Sequence, residues 1–112
     1  MVLIKIDWGN HLISENDAMQ IETLDLEDFY ATASDLDKAN LYFVLLNAFH
    51  HYLSKEKRET AAHLSFLMAY YLFMCFCPPA SCELAMHHIE QAISLHPTEQ
   101  YEEWREHIRE GN

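Results

Sequence analysis

The spacing of apolar positions changes along the chain. Over residues 2–8 it alternates, with Val2, Ile4 and Ile6 on one side and Leu3, Lys5 and Asp7 on the other. That is the period of two expected of a half-covered strand. Gly9-Asn10 then predicts a turn, after which residues 11–14 stand as a candidate return strand of a short hairpin. Between Ser14 and Ala33 acids crowd in, and Leu24, Leu26, Phe29 and Tyr30 predict a short helix over 26–32 with loop around it.

From residue 34 onward the period is helical. Ser34 with Asp37 three residues later predicts a capped start to a long helix over 35–53. Its apolar residues nearly encircle it, interrupted by Asn40, Asn47 and the histidines, so it is expected to lie deep in the fold. A hydrophilic connector at 54–58 leads into a second long helix over 59–77, stopped by Pro78-Pro79. These two should form an antiparallel hairpin. Ser81 is the expected N-cap of a third helix over 82–95, and His96-Pro97-Thr98 breaks the chain again. A fourth helix over 99–109 sets Tyr101, Trp104 and Ile108 on one face, with Gly111 placed as its C-terminal cap. The predicted class is all-α, stacked antiparallel hairpins of about four main helices, with the N-terminal strand or hairpin as an addition.

A length of 112 residues suits one domain, with 1–33 as an acidic, less regular segment and 34–112 as the helical core. Two glycines and three prolines are too few for a fold rich in tight turns. The stretch 60–82 carries no charge, yet its apolar run reaches only 17 residues before the prolines and includes His63 and Ser65. A membrane span needs about 20. A central helix covered by its neighbours is therefore preferred to a spanning one, and a helix with one side open as an apolar groove is a third reading.

Charge narrows the function classes. Eighteen acids against seven bases give a net charge of -11, which repels phosphate backbones and anionic membranes and attracts basic surfaces. Direct nucleic-acid and membrane binding are thus disfavoured. The acids concentrate at both ends of the chain, around a middle that is slightly basic. Candidate partner-binding residues are Asp25, Glu27 and Asp28 near one end, and Glu99, Glu102, Glu103, Glu106 and Trp104 near the other.

Three cysteines cannot all pair within the chain, and no secretory leader pattern opens it, so a reducing, cytoplasmic setting is expected. Cys75, Cys77, Cys82 and His87 have the ligand types for zinc, but a single residue between the first two does not match the usual knuckle spacing. Buried structural thiols are the preferred reading, and a metal- or cofactor-binding helical protein is the alternative. No hydrolase elbow, phosphate loop, zinc-protease motif or EF-hand is present, so the chain is read as non-catalytic and without cofactor.

Ala85, Ile89, Ala92 and Pro97 follow the order Ala-x3-Ile-x2-Ala-x4-Pro. This resembles the second helix and closing proline of a tetratricopeptide repeat, with Ala69 and Tyr70-Tyr71 matching its first helix, over about residues 62–110. The resemblance implies stacked hairpins and protein binding. Together these features point to an acidic helical adaptor, chaperone or inhibitor of a basic protein, in the manner of a toxin-immunity, antitoxin or phage inhibitor protein. Self-pairing into a homodimer is also expected, because the second helix carries more aromatic surface than one copy readily covers.

Overall fold

The computed structural model describes residues 4–111. Its elements are α1 (Glu15–Gln20), α2 (Thr23–Thr32), α3 (Asp35–Ser54), α4 (Arg58–Tyr70), α5 (Ser81–Leu95) and α6 (Glu99–Glu110), with α4 running on as a π-helical segment over Tyr71–Phe76. The four long helices fall where hydrophobic periodicity predicts them, and the all-α class holds.

The N-terminal strand is a correction. Among the described residues no strand forms, and residues 4–14 run as an irregular arm beside α1 and α3, bent at Trp8-Gly9 where the Asp7 carboxylate accepts from the Gly9 and Asn10 N–H groups. Val2 and Leu3 lie outside the described residues. Ile4 and Ile6 are half-buried, so the alternation reflects one apolar side laid on a helix surface and not a ladder. The segment 14–32 is also more regular than expected. Ser14 accepts from the Asp17 N–H at 3.2 Å and starts α1, and Asp25 accepts from the Glu22 N–H at 2.8 Å and starts α2 three residues before the expected boundary. Ser14 is the N-cap of α1, worth about 1 kcal/mol, whereas Asp25 reaches back from the third position of α2 to its N-cap Glu22 as half of a capping box.

Burial of α4 organises the rest. From Thr60 to Phe73 every residue except the half-buried His63 is inaccessible to solvent, because α1, α2, α3 and α5 all lie against this helix. The apolar central helix is thus covered, not offered as a groove. Among the described residues no helix is long and apolar enough to cross a membrane. The polar groups that α4 itself brings into this core are paired. Ser65 donates to the His88 carbonyl at 2.6 Å, Thr60 to Glu15 at 3.0 Å, and His63 Nε2 to the Ile21 carbonyl at 2.8 Å, the last pinning the α1–α2 junction to α4.

The π segment has a geometric use. In an α-helix residues five apart point about 140° away from each other, whereas the wider i→i+5 turn brings them to the same side. Tyr71 and Phe76 are five apart, and their rings stack with centroids 5.9 Å apart at 20°. The Tyr71 hydroxyl donates to the Lys38 carbonyl at the start of α3, and Lys38 in turn sits over the Tyr30 ring at 4.5 Å. The widened turn so ties α2, α3 and the end of α4 together. Cys77 closes it in a left-handed conformation, its N–H bonded to the Leu72 carbonyl at 3.1 Å.

After the two prolines, α5 begins without the expected Ser81 cap. Ala80 is the N-cap residue, at φ 64°, and Ser81 is already inside the helix with its N–H on the Pro78 carbonyl. The α3–α4 turn also uses a left-handed residue that is not glycine. Glu56, at φ 60°, donates to the Leu53 carbonyl at 3.1 Å, and Lys57 donates to the Tyr52 carbonyl at 2.9 Å, which is the Schellman pattern. A β-carbon in that conformation costs about 1 kcal/mol. Glu56→Gly should therefore stabilise the protein by about 0.5–1 kcal/mol and raise the Tm by about 4 °C, as read by thermal and denaturant unfolding.

Candidate protein-binding surfaces

The helix α6 packs through Tyr101, which stacks on Phe66 at 5.1 Å, through Ile108, and through Trp104, which meets the Tyr70 ring edge-on at 5.0 Å. With those three positions turned inward, the helical period turns Glu99, Glu102, Glu103, Glu106 and Glu110 outward, and all five are exposed. Two of them are met locally, Glu102 by Arg105 at 4.0 Å and Glu106 by Arg109 at 2.5 Å. Pairs of this exposed kind hold little energy and leave the face acidic.

Tyr70 brings the two predicted acidic groups into relation. Burial, reinforced by the Glu27 carboxylate, pushes its hydroxyl pKa up to about 12, so the ring that supports Trp104 of α6 also faces Glu27 of α2. Glu27 and Asp28 are exposed. Asp25 is not part of that open surface. It is 4% exposed and its carboxylate is occupied at the start of α2.

The candidate metal ligands are spread over the end of the π segment and the first turns of α5. Cys77, Cys82 and His87 are exposed and Cys75 is half-buried. Among the described residues no group of three or more His, Cys, Asp or Glu side chains converges as a metal site. The Cys77 thiol donates to the Phe73 carbonyl at 3.2 Å. Burial, with Glu27 and Cys77 adding to it, raises the Cys75 pKa to about 12, which keeps its thiol protonated and a poor metal ligand.

The adjacent histidines divide by face. His87 is exposed, whereas His88 is 6% exposed and shares a 2.8 Å hydrogen bond between its Nε2 and the Tyr42 hydroxyl of α3. Its Nδ1 has no hydrogen-bond partner, with the Gln91 amide beside the ring. Burial lowers its pKa; Gln91 acts in the opposite sense, and the positive charge available to His87 and His50 adds to the lowering.

One surface was not legible as a site in the sequence. The outer face of α3 carries Leu36, Asn40, Phe43, Asn47 and His50 at successive helical spacings, and Leu36 and Phe43 are 65% and 63% exposed. The arm flanks it with Trp8, also exposed. Between them lies an open cleft of about 280 Å³ lined by Ile6, Trp8, His11, Asn40, Phe43, Val44 and Asn47. The Asn40 side-chain nitrogen is shielded there without a partner. Amide residues recurring at 40 and 47 within the otherwise apolar stretch 39–49 were the available signal. A second, larger cleft of about 550 Å³ separates the arm from α1 and α3.

Comparison of the chain with family models, with curated proteins and with solved structures finds no match.

The buried histidines set an acid limit on stability. Burial is the largest cause lowering the pKa of both His63 and His88 below 6.5. As pH falls through that value the unfolded chain takes up protons that the folded chain refuses, so stability present above it is lost below it. Denaturant unfolding should show stability sloping downward as pH falls below the ordinary histidine value. His63→Gln and His88→Gln should each flatten that slope.

Proposed function

We propose that the protein is a non-catalytic, acidic protein-binding module whose partner is a basic protein, acting as an adaptor, chaperone or inhibitor. The observation that carries this reading is the outward face of α6, where five carboxylates are exposed with two arginines to offset them, while the half-buried Trp104 lies on the opposite, packed side of the helix. Such a surface speeds encounter with a positive partner. Glu27 and Asp28 extend the negative field from the α2 side of Tyr70.

Two further features support a binding role. Ala85, Ile89 and Ala92, the residues of the tetratricopeptide-like pattern, are fully buried, so small side chains let α5 approach its neighbours closely and leave α6 as an outer layer. The rigid core beneath α6 also suits a surface that binds without rearranging. Neutralisation of a toxin or of a nucleic-acid enzyme is the role that best suits this size and charge. Three free cysteines support a reducing, cytoplasmic setting.

The test is capture of partners from the native cell extract at low and at elevated salt, identified by mass spectrometry. A basic protein retained at low salt and released by added salt is expected. The triple variant Glu102→Lys, Glu103→Lys, Glu106→Lys should weaken its binding at least about tenfold, mainly by slowing association. Binding that neither salt nor this variant alters would overturn the acidic-face reading.

A further inference from the structure

We infer that the outer face of α3 is the contact surface of a twofold homodimer in which α3 packs antiparallel on α3 of a second copy. This goes beyond the acidic-face reading and does not depend on it.

Charge comes first. Each chain carries a net charge of -11, so two copies repel wherever acidic surfaces meet. Residues 39–54 contain no Asp, Glu, Lys or Arg, so most of the outer face of α3 lets two copies touch without that repulsion, and the acids that border it, Asp35 and Asp37, lie at its N-terminal end beside Lys38. It also lies away from the acidic helix: α3 packs on α4, α4 on α5, and α5 on α6, so α3 and α6 are the outer members of the stack. A basic partner gains nothing from an uncharged face, whereas a second copy needs one.

The order of residues supports the same occupant. A twofold interface is isologous, so each position must suit the one it meets across the axis. The stripe reads Leu36, Asn40, Phe43, Asn47, His50, all exposed except the half-buried Asn40, and Phe43 sits near the middle of α3. An antiparallel pair centred on Phe43 sets the two Phe43 rings on the axis, Asn40 opposite Asn47 of the second copy, and Leu36 opposite the apolar side of its His50 ring. Asn40 and Asn47 can then exchange amide hydrogen bonds twice, and the Asn40 nitrogen, which has no acceptor within its own chain, gains one when the amide turns outward. Trp8 and Ile6 on the flanking arm border the stripe and widen the contact.

The area sets the strength. At about 1.5 Å per residue the stripe from Leu36 to His50 is roughly 20 Å long, so even with the arm beside it the contact is small. Such a contact lies at the low end of specific interfaces, so association should be in the micromolar range and reversible.

Sedimentation equilibrium over roughly 1–200 µM, at low salt and at elevated salt, reads it directly. The expected mass rises from 13.2 kDa toward twice that value with concentration and does not fall when salt is added. Phe43→Glu brings two carboxylates together on the axis at a position that is 63% exposed, and should hold the chain at the monomer mass while leaving its helical circular dichroism unchanged. Asn40→Glu with Asn47→Glu opposes like charges and should also give a monomer. Asn40→Lys with Asn47→Glu opposes unlike charges and should restore a dimer that is now salt-sensitive. A wild-type chain that stays at 13.2 kDa throughout, a dimer that Phe43→Glu leaves intact, or two double variants that behave alike overturns the proposal. Salt-released binding of a basic protein bears only on α6, so the two readings fail separately.

Discussion

A helix that carries no charge from Thr60 to its end must be shielded from water on every side, and this requirement arranges the rest of the molecule. One hairpin cannot do it, since a helix surrounded by a single partner exposes most of its circumference. The protein therefore recruits α1 and α2 from the N-terminal segment as well as α3 and α5. The short helices are held by polar contacts as much as by packing. His63 reaches the carbonyl of Ile21, and Thr60 reaches the carboxylate of Glu15. Each links a capped turn of the acidic segment to the central helix.

Covering α4 this completely separates two kinds of surface. Helices in the middle of the stack spend their apolar faces on each other, so the outermost helices decide what solvent sees. On α6 it sees carboxylates, and on α3 it sees amides, Leu36 and Phe43. The buried polar links between the layers, Tyr42 with His88 and Ser65 with the His88 carbonyl, hold α3, α4 and α5 in one register and keep those outer faces at fixed positions. A chain with strong net charge thus retains one stretch of surface, along residues 39–54 of α3, that carries no Asp, Glu, Lys or Arg.

Most of the architecture could be read from residue spacing because long helices announce themselves through many positions at once. Boundaries of α3, α5 and α6, and of α4 taken together with its π continuation, fell within one residue of their expected places. The acidic run of α6 was equally legible, since Tyr101, Trp104 and Ile108 settle which way Glu102, Glu103 and Glu106 face. Short elements were harder. The α1 helix has six residues and one fully buried side chain, Ala18, too little pattern to distinguish from loop. The alternation of residues 2–8 states only that one side is covered, and a helix surface can do the covering as well as a second strand. The burial of Asp25 and the exposure of Phe43 depend on which neighbours arrive, and a charge or an aromatic ring in the sequence does not carry that information.

The π segment is best understood as a matter of counting. A single turn with an i→i+5 ladder is an α-helix with one residue too many, and each residue advances an α-helix by about 100°. Removing one residue from 71–76 would let α4 continue undisturbed up to Tyr70, but everything beyond would swing about a quarter-turn around the axis. Phe76 would leave the Tyr71 ring, and the two prolines would aim the chain away from the side of α4 that α5 now covers. The length of this stretch therefore acts as a phase setting, through which one half of the fold is aligned to the other.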